Sequence, residues 1–207
     1  RSPAAEQYRL LAARLEGVRA RHELRSVAVT STMPDEGKTM TSVNLAYVLA
    51  KDFGRRVLLI DGDLKKPSVW RYVGSSPRAG LCELIANRQP LEAVVHTFRH
   101  EQLEVLEAGL LPLNPVRVWK SALIKELFAQ LTRRYDYVIV DTPPVLTVVD
   151  ATLIADLVDG VAVVVRSEMT PKAALQKSIG SLPRAKIVGL VFNGVRVSRS
   201  PYYFRYP

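Results

Sequence analysis

The chain has 207 residues, 48% hydrophobic and 24% charged, and 29 Lys+Arg against 20 Asp+Glu leave a net charge of +9. This is the composition of an ordinary globular domain; it excludes a disordered or fibrous chain, and at this length roughly 70% of the unfolded surface is buried without disulfide or metal staples. Cys82 is the single cysteine and no Cys/His cluster occurs, which points to a reducing, cytosolic compartment, while no run approaches the roughly 18 apolar residues of a membrane span. The positive excess calls for an anionic partner without choosing between nucleotide, nucleic acid, acidic peptide and membrane surface.

The sequence opens at Arg1 rather than at a methionine, so a piece of a longer polypeptide is expected. Residues 1–24 predict one amphipathic helix, with Ser2 as N-cap, Pro3 at the first position and Tyr8, Leu11, Leu15 and Val18 at spacings of 3, 4 and 3. No βαβ unit requires this helix, so it packs either on its own sheet or on a neighbouring chain. A β-branched run over 26–30 predicts a strand buried on both faces. It leads into Thr30-Ser-Thr-Met-Pro-Asp-Glu-Gly-Lys-Thr39 and then a helix reaching Asp52. A loop between strand and helix that ends in Gly-Lys-Thr suits phosphate: backbone N–H groups and the helix N-terminus face the anion, the lysine reaches the outer phosphates, and the hydroxyl ligates Mg²⁺. Only the second half of the Gly-x4-Gly-Lys-Ser/Thr pattern is met, because Thr32 stands at the first glycine position.

A second apolar strand over 57–60 runs directly into Asp61-Gly-Asp63-Leu-Lys-Lys-Pro67. Carboxylates at i and i+2 leave a strand on the same face, close enough to share a metal or to divide metal and base roles. A short helix over 81–86, a weaker strand over 103–106 and a helix over 121–134 follow. Next, Tyr135-Asp-Tyr-Val-Ile-Val-Asp-Thr-Pro-Pro144 delivers Asp141 to the carboxyl end of a third buried strand, where it can hold Mg²⁺ through water. Pro143 and Pro144 stop that strand, and Asp136 at its opposite end reads as structural. Helices over 150–157 and 171–179 alternate with strands over 160–165 and 186–192, both read as buried on both faces. Strand and helix in alternation predict a doubly wound, mostly parallel α/β sheet flanked by helices, with ligands outside the carboxyl ends of the strands. Residues 196–207 have no periodicity and read as a flexible tail.

The trio of Pro34-Asp-Glu-Gly-Lys-Thr39, Val57-Leu-Leu-Ile-Asp-Gly-Asp-Leu-Lys-Lys-Pro67 and Tyr135-Asp-Tyr-Val-Ile-Val-Asp-Thr-Pro-Pro144 resembles the Walker A, A′ and B motifs of the bacterial tyrosine kinases. These are P-loop enzymes of capsular and exopolysaccharide export. The resemblance spans nearly the whole chain: Gly80-Leu81, Ala108-Gly109 and Pro112-Leu-Asn-Pro115 match family landmarks, and Val164-Val-Arg166 and Val191-Phe-Asn193 match the late strands that approach the base.

The resemblance implies a single kinase domain over 1–207 with the P-loop architecture shared with the MinD/ParA-like ATPases, using ATP and Mg²⁺. Pro34, Asp35, Glu36, Gly37, Lys38, Thr39 and Met40 would cradle the phosphates. Thr39, Asp61 and Asp141 would hold the metal. Lys38 with Asp61 or Asp63 would carry the chemistry, one aspartate orienting or deprotonating a tyrosine hydroxyl. Arg166 and Asn193 would lie on the adenine side. The family's acceptor is a tyrosine cluster in the C-terminal tail of a neighbouring subunit, and Tyr202, Tyr203 and Tyr206 stand where it belongs. A transmembrane co-polymerase or activator, fused or separate, would hold the protein at the inner face of the membrane.

Two departures from the family pattern stand out. Asp35 replaces a glycine, setting a carboxylate beside the phosphates that repels them unless it points outward. In the first helix the Glu-x-x-Arg-x-x-Arg-Thr-Asn docking pattern keeps Glu6 and Arg9, but Ala12 replaces the second arginine and Ala13-Arg14 the pair after it. The competing function is a MinD/ParA-like ATPase switch without kinase activity, against which Thr30 to Met33 lack the second lysine those proteins carry early in the loop. A scaffold that keeps the fold and binds nucleotide poorly is a third. The positive charges are spread along the chain with no basic-aromatic recognition motif, so no nucleic-acid partner is expected.

Overall fold

The computed structural model describes residues 3–110 and 113–195. The elements up to the middle of the chain are α1 (Pro3–His22), β1 (Ser26–Ser31), α2 (Lys38–Lys51), β2 (Val57–Asp61), α3 (Val69–Val73), α4 (Leu81–Asn87), α5 (Leu91–Val94), β3 (Val95–Phe98) and β4 (His100–Leu106). There follow α6 (Pro115–Trp119), α7 (Ala122–Arg134), β5 (Tyr137–Asp141), α8 (Asp150–Leu157), β6 (Gly160–Arg166), α9 (Lys172–Gly180) and β7 (Ile187–Asn193). Ser2 and the tail tyrosines lie outside the described residues.

One sheet runs β3-β4-β2-β5-β1-β6-β7. Every pair is parallel except β3 with β4. The central strands β1, β2 and β5 are buried at every residue, as their uniformly apolar runs require. Their side chains alternate between two cores: Ala28, Leu58, Ile60, Val138 and Val140 face α7 and α8, and Val27, Val29, Val57, Leu59, Tyr137 and Ile139 face α1 and α2. Each buried Val, Leu or Ile contributes about 1.5–3 kcal/mol, so these strands fix the sheet and set their carboxyl ends in one row.

The first helix packs on its own chain. Ala12 and Leu15 are buried, Tyr8, Leu11 and Val18 join the same core, and Arg9 donates to Asp52 in α2 at 2.7 Å. Ala12 faces inward at 0% exposed, where the arginine of the family pattern would have to bury its stem or reach past the core to solvent.

One expectation is corrected, and one strand is found that the sequence did not predict. Strand β7 is not buried on both faces: it lies at the sheet edge, with Leu190 38% and Phe192 61% exposed. An apolar run reads alike in a central and an edge strand, and only the strand order tells them apart. Strand β3 has no sequence signal because Val95-His-Thr-Phe98 is four residues of mixed polarity, turned back on β4 through Arg99 in the left-handed region at φ +54°.

Candidate functional site

The carboxyl ends of β1, β2 and β5 bring the three motifs together. After β1 the chain turns through residues 32–37 into α2, with Gly37 as the residue before the helix at φ +90°. Glycine is required there twice over: the angle lies in the left-handed region, and a Cβ would stand 2.0 Å from Asn193 Nδ2. Asn193 Nδ2 donates to the Glu36 carbonyl at 2.9 Å, and Asn193 Oδ1 accepts from Gly194 N. Glu36 is buried; its carboxylate accepts from Met33 N at 3.0 Å and from the Thr170 hydroxyl. Thr170 in turn accepts from Arg166 N. The phosphate loop is thus strapped to the turn after β6 and to the end of β7. Asn193 and Arg166, expected on the adenine side, stand beside each other at these strand ends, and Asn193 is engaged with the loop itself.

Asp35 is exposed at φ +63°. That angle explains the glycine of the family pattern, and aspartate is among the few side chains that adopt it readily. Pro34 is exposed beside it, and Met40 on the first turn of α2 is 37% exposed.

Inside the loop, Lys38 Nζ stands 3.5 Å from Asp141 Oδ2 and 3.8 Å from Asp63 Oδ2. Thr39 Oγ1 donates to Asp141 Oδ2 at 2.7 Å, and Ser42 Oγ donates to the other oxygen at 3.0 Å. Asp141 is fully buried, and burial pushes its pKa up while Lys38 and the two hydroxyls pull it down.

The two aspartates after β2 divide their tasks. Asp61 accepts from the backbone N–H groups of Asp63, Ser68 and Val69, so its carboxylate is spent on shaping its own loop. Burial and the facing Asp141 push its pKa up to about 8 against those three donors. Asp63 accepts from Lys66 N on Oδ1 and turns Oδ2 toward Lys38. Gly62 lets the loop leave β2 against β5, since a Cβ would meet the Asp141 carbonyl at 2.7 Å.

Ser42, Ser68 and Thr170 were missed in the sequence. Ser42 lies one helical turn beyond Thr39, so the i, i+3 spacing could have found it. Ser68 Oγ, 3.1 Å from Thr39 Oγ1, joins the phosphate loop to the loop after β2, and Thr170 joins it to the turn after β6. Neither link has a local signal. Asp136 is structural as expected, accepting from Arg56 N and pairing with Arg19 at the amino end of the sheet.

Among the described residues no three His, Cys, Asp or Glu side chains form a self-sufficient metal cage. Mg²⁺ in a nucleotide site does not ask for one: it keeps waters and takes phosphate oxygens with one or two protein ligands. The hard oxygen donors of Thr39 and Asp141, already side by side, fit that requirement.

Residues 25–179 match the AAA_31 family, described as an AAA domain. Over 204 residues the chain is 36% identical to the tyrosine-protein kinase YwqD of Bacillus subtilis, an alignment covering 98% of this chain and 86% of that protein. It is 32% identical to the putative tyrosine-protein kinase CapB of Staphylococcus aureus, covering 100% of this chain and 91% of that one. The kinase domain of the Escherichia coli tyrosine kinase ETK superposes with a TM-score of 0.87 at 31% identity, covering 95% of this chain and 78% of that chain. MinD of Pyrococcus horikoshii, at 23% identity and a TM-score of 0.67 over 81% of this chain and 68% of that one, shares the fold alone.

Proposed function

The chain belongs to the bacterial tyrosine kinases, and from that premise we propose that it transfers the γ-phosphoryl group of ATP to Tyr202, Tyr203 and Tyr206 in the tail of a neighbouring copy. The observation that carries this reading is the convergence of Lys38, Thr39, Asp63 and Asp141 at the ends of three adjacent strands.

In the proposed mechanism the first N–H groups of α2, which have no intrahelical acceptor, and the Lys38 ammonium bind the outer phosphates. Mg²⁺, held by Thr39 and through water by Asp141, would supply charge neutralisation on those phosphates. Ser42 orients the Asp141 carboxylate for that purpose. Asp61, committed to three backbone donors, shapes the loop beside the metal site. Asp63 is the acceptor-side base: its Oδ2 takes the tyrosine proton as the phenolic oxygen bonds to the γ-phosphorus and the bond from that phosphorus to the β–γ bridging oxygen breaks. Phosphotyrosine, ADP and a protonated Asp63 result, and the carboxyl then returns its proton to water. The outward Asp35 is consistent with nucleotide binding, since an exposed carboxylate is screened from the phosphates.

The wider role follows the family: one kinase domain over 1–207 with its tail, working as a homo-oligomer at the inner face of the membrane with a transmembrane co-polymerase or activator, and regulating polysaccharide polymerisation and export. No helix among the described residues is long and apolar enough to cross a membrane, so such an anchor would lie elsewhere. Incubation with Mg-ATP followed by mass-spectrometric mapping of phosphotyrosine tests the reading. Phosphate on the 202–206 cluster is the expected result; ATP hydrolysis and ATP-driven dimerisation with no phosphotyrosine, with or without an activator peptide, would replace the kinase by an ATPase switch.

A further inference from the structure

Outside the residues already given a task, one buried carboxylate stands at the edge of the site. Asp150 opens α8 and is 2% exposed. Its Oδ1 is buried without a hydrogen-bond partner among the described residues, and its Oδ2 lies 3.7 Å from Lys65 Nζ. Lys65 belongs to the loop after β2, two residues beyond Asp63, and its side chain is about half exposed. Burial raises the pKa of Asp150, the Lys65 ammonium opposes that rise, and the charge of Asp63 adds to it. Lys65 therefore ties its own loop to the helix that follows the Asp141 strand.

An acid in the first turn of a helix complements the helix dipole, and that role alone would account for the charge. It does not account for the burial, because a first-turn acid does the same from the solvent-exposed surface. Nor does it account for the partner, a lysine on the loop that carries Asp63. A buried carboxylate left with one cation and one unpaired oxygen is an expensive arrangement, and such arrangements are found where a specific geometry is being held.

We propose that Asp150 is a positioning residue for phosphoryl transfer, holding Lys65 and with it the loop 62–68 so that Asp63 keeps its bearing on Lys38. This rests on reading the chain as a kinase. The other ties of this loop run to its own backbone through Asp61, to β5 through Gly62 N, and to the phosphate loop through Asp63 and Ser68. Leu64 packs against the core that α8 shares, and among the hydrogen bonds and ion pairs of the described residues the one with Asp150 draws the middle of the loop toward α8. Without it the Lys65 ammonium swings free and the Asp63 carboxylate is held, among the described residues, only by Lys66 N and Lys38, less firmly, while the bonds of the phosphate loop to Thr170 and Asn193 are untouched. The effect falls on the chemical step rather than on ATP binding.

The test compares the full chain with Asp150→Asn, Lys65→Gln and the double variant, reading kcat, KM for ATP and acrylamide quenching of Trp70. Trp70 follows the loop in α3 and is half-buried, whereas the other tryptophan, Trp119, is 2% exposed and shielded from the quencher. Each single variant is expected to lower kcat about tenfold with KM for ATP changed less than about twofold, and the double variant to be no worse than either single. Lys65→Arg keeps kcat within about twofold, and both neutral variants raise Trp70 quenching equally and without addition. Multiplying effects in the double variant, or a lower melting temperature for Asp150→Asn with kcat unchanged while folded, would overturn the proposal and leave Asp150 a helix-terminus residue. A wild-type chain that makes no phosphotyrosine ends the kinase reading instead. The quenching series then decides alone: equal, non-additive changes retain the Lys65–Asp150 tie, and additive or absent changes remove it.

Discussion

Gly37→Ala is the substitution whose cost is most directly written in the geometry. At φ +90° an alanine pays about 1–2 kcal/mol for the left-handed backbone. Its Cβ would also stand 2.0 Å from Asn193 Nδ2, so the amide must leave and its hydrogen bond to the Glu36 carbonyl is lost, a further 0.5–1.5 kcal/mol or so. The sum, about 1.5–3.5 kcal/mol, corresponds to a fall of roughly 3–14 °C in Tm for a domain of this size. Thermal melts without nucleotide and calorimetric titration of Mg-ATP measure both consequences, and ATP binding is expected to weaken because the loop has lost its strap. Asn193→Ala provides the internal control: alone it costs about 1 kcal/mol, but in the Gly37→Ala background it costs nothing further, since the bond is already broken. A Gly37→Ala protein that melts with the wild type and binds ATP normally, or costs that add in the double variant, would refute the reasoning.

Four further outcomes are expected. Lys38→Met abolishes ATP binding in calorimetry and also lowers the melting temperature of the nucleotide-free protein, because Asp63 and Asp141 lose the cation between them. Asp63→Asn lowers kcat about 10²-fold or more with the ATP dissociation constant nearly unchanged, whereas Asp61→Asn destabilises the fold through the loop it organises; single-turnover kinetics and melts separate the two. Ser42→Ala removes a donor from a buried carboxylate and costs about 1.5–3 kcal/mol in chemical denaturation. In the nucleotide-free protein Asp61 titrates near 8 when folded against 3.8 as its reference, so its contribution to stability is complete below about pH 4 and is lost as pH rises toward 8. The Tm difference between Asp61→Asn and wild type therefore shifts in favour of the variant between pH 5 and 8.5, and a pH-independent difference would show that Asp61 is ionised throughout.

What the sequence made legible follows from where the information is local. Val57 to Asp63 announces itself because a strand buried on both faces must be uniformly apolar and its functional carboxylates must follow at once. The same logic found β1 with its phosphate loop and β5 with Asp141. Edges were not legible: β7 has the residues of a central strand, and β3 is too short and too mixed to stand out. Nor were links between distant segments. Glu36 with Thr170, Asn193 with the Glu36 carbonyl and Lys65 with Asp150 each join residues 85 or more positions apart, and no spacing rule reaches that far. The division between Asp61 and Asp63 needed backbone direction, since only coordinates tell that one carboxylate is wrapped in its own loop and the other looks at Lys38.

The most direct test of the central claim mixes isotopically labelled Lys38→Met protein, unable to hold ATP but carrying an intact tail, with unlabelled wild type and Mg-ATP, and follows phosphotyrosine on the labelled chain by mass spectrometry. Phosphate is expected on Tyr202, Tyr203 or Tyr206 of the labelled protein, at a rate that rises with wild-type concentration. ATP turnover by the wild type with both tails unmodified would contradict it.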